Sequence, residues 1–150
     1  MDFRRVRPAD WLLAAAGALL LASLFLPWYG VESSATTSGF EALSVLDIVL
    51  ALIGASAVAV VPITAAQAVP AVPLTVDALV TIAGLVAVVL VAIRLLDVPD
   101  FAASREWGLW LAMAAAAGTV AAGLAAMKDE RGATVGSPDV ERLPAPKAPA

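Results

Sequence analysis

Four near-continuous apolar stretches, Trp11 to Leu26, Ala42 to Val61, Leu74 to Ile93 and Trp107 to Met127, constrain this chain more than any other feature. Hydrocarbon offers no partner for a backbone N–H or C=O, so a segment that crosses a bilayer alone must satisfy its own groups as a helix. Crossing takes roughly 20 apolar residues. Three of the stretches meet that length, and the first is extended by Pro27, Trp28 and Tyr29 at headgroup depth. The expected fold is therefore all-α: an integral membrane four-helix bundle of two in-out-in helical hairpins. Spans are expected at about 11–27, 42–61, 74–96 and 107–127, with a basic N-tail over 1–10 and a disordered, Pro-rich C-terminal tail over 128–150.

Composition narrows the function. Hydrophobic residues make up 61% of the chain and charged ones 15%, a balance that no ordinary soluble domain shows. Alternating strand patterns of the outer-membrane barrel type are absent. The chain has no Cys, hence no disulfide, thiol chemistry or Cys-linked lipid anchor, and no His, the usual ligand of membrane haem and zinc and the commonest proton shuttle. The net charge of −4 is spread over tails and loops, so no nucleic-acid surface is expected. No nucleophile stands beside a base, and the reading is of a protein that is not an enzyme and holds no cofactor or metal.

Positive charge sets the orientation, because Lys and Arg near span ends stay cytoplasmic. Arg4, Arg5 and Arg7 precede the first span, and Lys128, Arg131, Arg142 and Lys147 follow the last. The first connection, 28–41, has no positive residue, and the third has only Arg94 and Arg105 close to helix ends. Both termini are thus expected in the cytoplasm, and the first helix is expected to be retained rather than cleaved as a signal peptide. Trp28, Tyr29, Trp107 and Trp110 read as anchors at the outer interface and Trp11 at the inner one. The connection from Pro62 to Pro73 reads as a linker hugging the surface.

Ionisable groups at membrane depth mark function unless a structural role absorbs them. Asp47 is the strongest candidate. It reads either as a carboxylate facing the interior, paired with Arg94 or Arg105, or as the N-terminal partner of a helix capped by Ser44. Asp77, after Thr75, reads as an N-terminal capping residue of the third span. Small residues allow close helix approach, and they form stripes at Ala14, Ala18 and Ala22, at Ala51 and Ala55 beside Gly54, at Gly84, and at Gly118 with Ala122.

The segment Leu26-Pro27-Trp28-Tyr29, a Ser/Thr-rich loop, and Ser38-Gly39-Phe40-Glu41-Ala42 leading to Leu46-Asp47 resembles a pattern in small four-span membrane proteins of high-GC Gram-positive bacteria. The resemblance implies a multi-pass protein of the bacterial cytoplasmic membrane and brings no activity with it. If the outer loop folds down, Trp28, Glu41 and Asp47 line one shallow outward pocket. The expected function is a structural or accessory subunit of a larger bacterial membrane complex, with the lipid bilayer, membrane-protein partners or further copies of the chain as its partners. The alternatives are a small transporter or channel using Asp47, and a lipid- or quinone-binding protein.

Overall fold

A computed structural model describes residues 6–31, 35–42, 45–66, 73–100 and 102–135. Four long helices carry the fold: α1 (Pro8–Leu24), α3 (Leu46–Ala66), α4 (Pro73–Leu96) and α5 (Trp107–Val135), with a single turn, α2 (Gly39–Ala42), ahead of α3. Three of them, α3, α4 and α5, are long and apolar enough to cross a membrane. With 17 residues, α1 is about 25 Å long, short of the roughly 30 Å hydrocarbon core.

Local sequence explains most helix limits. Pro8 and Pro73 occupy first helical positions, where the missing N–H has no intrahelical partner to lose. The limits of α1, Pro8 and Leu24, and the start of α3, Leu46, are shifted from the expected 11–27 and 42, and two C-terminal limits lie further on than expected. Pro62 was expected to end the second span, but α3 runs through it to Ala66. Proline inside a helix removes only one i→i−4 bond, and membrane helices tolerate that loss. The tail was expected to begin at Lys128, but α5 continues to Val135. The first proline after the span is Pro138, and Lys128, Glu130 and Arg131 are good helix formers. The rest of the tail and residues 67–72 of the central connection lie outside the described residues.

The all-α expectation also missed a small sheet. Strands β1 (Pro27–Gly30), β2 (Thr36–Ser38) and β3 (Ser104–Arg105) form an antiparallel sheet in the order β2-β1-β3. Tyr29 pairs with Thr37 on one side and Arg105 on the other. Strands this short carry too few residues to show a period-2 pattern, and β1 lies within the aromatic run that reads as the end of a span. The sheet gathers four helix ends: the C-terminal ends of α1 and α4 and the N-terminal ends of α3 and α5 lead into it. Gly108 makes the junction with α5 possible, since a Cβ there would stand 2.5 Å from the Pro27 carbonyl oxygen.

Helix α1 packs broadly against α3 and α5, and α4 against α5, while α3 and α4 share a thinner seam. The largest core cluster lies towards the sheet and joins Leu20 and Leu24 of α1, Trp28 and Tyr29 of β1, Leu50 and Ile53 of α3, Val91 of α4 and Leu109 of α5. A second cluster joins Leu13, Ala57, Val60, Val80 and Ala122. The small-residue stripe expected on α1 points the wrong way. Ala18 and Ala22 are exposed and Ala14 is half-buried, while Leu13, Ala16, Gly17, Leu20 and Leu24 face inward. On α3 the close approach is made by Gly54 and Ala57, with Ala51 half-buried and Ala55 exposed. Gly84 and Ala122 are buried, and Gly118 is half-buried.

Candidate functional site

The carboxylates buried by the described fold, Asp10, Asp47 and Asp77, lie at its two ends. At the sheet end, three groups satisfy the last carbonyls of α4, which have no partner within the helix. The Asp97 N–H donates to the Ile93 carbonyl at 2.7 Å, the Tyr29 hydroxyl to that of Arg94 at 3.0 Å, and the Arg105 Nε to that of Leu95 at 2.8 Å. Strands β1 and β3 are thereby tied to the end of α4, and the Arg105 cation complements the negative end of the helix dipole.

Next to this junction lie two buried polar atoms without a hydrogen-bond partner, Asp47 Oδ1 and Arg94 Nε. Asp47 is 2% exposed and sits in the first turn of α3. The Arg94 charge acts on both Asp47 and Tyr29, yet no ion pair joins Arg94 to Asp47. Ser44, the expected cap of this helix, lies outside the described residues.

The pocket expected from Trp28, Glu41 and Asp47 is replaced by a different grouping. Trp28 is fully buried, and its Nε1 donates to the Ser23 carbonyl at 2.7 Å, the partner a buried indole requires. Glu41 is exposed and closes a capping box on α2: its Oε2 accepts from the Ser38 N–H at 3.0 Å, while Ser38 Oγ accepts from the Glu41 N–H at 3.3 Å. The Ser38 N–H and hydroxyl hold the Glu41 carboxyl below its usual pKa. The residues that meet around the end of α4 are instead Tyr29, Asp47 and Arg94.

Trp28 and Tyr29 are therefore core residues here, not headgroup anchors, because β1 folds back over the helix ends. The exposed aromatic pair at this end is Phe25 with Phe40, ring centroids 4.9 Å apart. Trp11, Trp107 and Trp110 are each about half exposed.

At the opposite end Arg7 binds two buried carboxylates. Its Nη2 lies 3.1 Å from Asp10 Oδ1 and 3.2 Å from Asp77 Oδ2, and its Nη1 donates to the Ala126 carbonyl at 3.4 Å. Asp10 and Asp77 are 0% and 1% exposed. One guanidinium thus fastens α1 to α4 and α5. Asp77 serves this link in place of the capping expected of it, because α4 begins at Pro73 and the carboxylate stands past its first turn. Asp10 was not singled out from sequence, although an acidic residue three after Arg7 in the first turn of a Pro-initiated helix was a usable signal.

Tyr29 is the only tyrosine, so its ionisation can be followed without interference. Burial raises its pKa above the ordinary value, with Arg94 and Arg105 opposing the shift. The unfolded chain ionises first as pH rises, so stability is full below about pH 10 and falls above it. A spectroscopic titration is expected to place the tyrosinate midpoint above that of free tyrosine; a midpoint at or below it would contradict the burial.

No family model, curated protein or solved structure matches this chain.

Proposed function

We propose that the chain crosses the bacterial cytoplasmic membrane four times, α1 included, with both termini in the cytoplasm, and serves as a non-catalytic subunit of a larger membrane assembly. The observation that carries this reading is the sealed middle of the described helices. Between the two polar ends the interior is filled by Leu, Ile, Val and Ala. The buried hydroxyls of Ser23 and Thr119 are bonded to carbonyls of their own helix, those of Leu20 and Ala115. Such an interior gives a polar solute no continuous line of partners and suits a part that packs against others.

Support for the fourth span comes from α1 itself, whose Leu13, Leu20 and Leu24 are fully buried against the other helices. The gathering of alternate helix ends at one sheet supports the hairpin arrangement. A small transporter remains the second reading, favoured by the buried Asp47 carboxylate.

Because the chain has no Cys, single cysteines report sidedness cleanly. In whole cells an impermeant maleimide is expected to label Thr36→Cys on exposed β2, and Lys128→Cys only after permeabilisation; the reverse pattern would sink the orientation. The function is tested by isolating the tagged chain at natural abundance in mild detergent. A discrete complex with stoichiometric partners is expected. A lone monomer or homo-oligomer would reject the subunit reading, and transport assays on Asp47→Asn would follow.

A further inference from the structure

We propose that Asp47 and Arg94 form a guest site at the sheet end of the α3/α4 seam for one uncharged hydroxylic oxygen, supplied by water or by an alcohol group of a membrane lipid. Both polar atoms are buried and lack a partner in the protein. The carboxylate oxygen needs a donor, the guanidinium N–H needs an acceptor, and leaving either unmet costs about 1–3 kcal/mol or more. The two side chains are close enough for the Arg94 charge to act on Asp47, although no ion pair forms. A single O–H oxygen donates to one and accepts from the other.

The charges argue against an ionic guest. Asp47 and Arg94 balance each other formally, and the neighbouring Arg105 and Asp97, whose charges act on Tyr29, do the same. An added ion would bring an uncompensated charge beside a core that includes Leu50 and Val91. A metal is disfavoured for the same reason, and among the described residues no three acidic groups meet. The position suits guest exchange: α3 and α4 share a thinner seam than α1 makes with α3 or α5 makes with α4, and both residues lie within a turn of the apolar span ends, near headgroup depth.

The test is a double-mutant cycle on thermal unfolding of the full chain, delipidated in a hydroxyl-free amine-oxide detergent. Asp47→Leu and Arg94→Leu are each expected to lower Tm by roughly 5 °C, and the double variant to lose less than either. Coupling without lipid that falls as water activity is lowered with trimethylamine oxide identifies water as the guest, whereas coupling indifferent to water activity is the direct charge interaction of the pair and overturns the site. If coupling arises only when phosphatidylglycerol is added, the guest is a lipid hydroxyl. Additive losses in both conditions would overturn the site. Should a Leu variant fail to fold, Asp47→Asn and Arg94→Gln enter the same cycle with the same expected coupling.

Discussion

Replacing Arg7 with Gln is expected to destabilise the folded chain by about 3 kcal/mol. Arg7 answers two carboxylates that are 0% and 1% exposed, so its loss removes a cation shared by two buried anions. The cost of breaking a buried pair is about 3–5 kcal/mol, and the lower end applies because the Arg7 side chain is itself 26% exposed. A domain of this size loses roughly 2–4 °C per kcal/mol, so Tm should fall by about 6–12 °C in detergent. Arg7→Lys keeps the charge but loses the fork that reaches Asp10, Asp77 and the Ala126 carbonyl together. It is expected to fall in between. An unchanged Tm for Arg7→Gln would show that this end of the bundle does not depend on the ion cluster.

The second large effect is expected from Gly17→Val. A Cβ on Gly17 would stand 2.6 Å from Ala57 Cβ and 2.7 Å from the Gly54 carbonyl oxygen. Neither obstacle is the end of a flexible side chain, so α1 and α3 must separate along their length. Overpacking costs about 1–3 kcal/mol, and separation also forfeits the close backbone approach on which membrane helices rely, so about 3 kcal/mol is expected. Gly118→Ala is the control. Its Cβ would meet only Ala16 Cβ, at an ordinary 3.5 Å, and the gain in helix propensity predicts a stabilisation of up to about 1 kcal/mol. Unfolding midpoints of the two variants should therefore move in opposite directions. Equal shifts would show that Gly17 is not the point of closest approach.

These two sites lay at different depths in the sequence. Arg7 is visible as one of three N-terminal arginines, whose charge along the chain reads as an orientation signal. Its pairing with Asp77 joins residues 70 positions apart, which spacing along the chain does not reveal. Gly17 lay one position from an evenly spaced alanine stripe that turned out to face outward. Alanine is small on any face, so a stripe of it does not say which face is buried. The flanking Leu13, Leu20 and Leu24 mark the inner face of α1.

What the sequence determined by itself was the apolar helices, because backbone hydrogen bonding in hydrocarbon and the length of each run admit little else. It also brought Asp47 forward, since a carboxylate beside an apolar span is costly wherever it lies. Only the tertiary structure decided the rest. It folded β1 over the helix ends and so moved Trp28 and Tyr29 from expected anchors into the core. It left Glu41 outside, closing its own cap on α2, and of the two arginines expected near Asp47 it set Arg94 within reach of its charge without an ion pair. Those outcomes rest on contacts between segments far apart in the chain, whose energies depend on which faces meet, and no local pattern of residues encodes that.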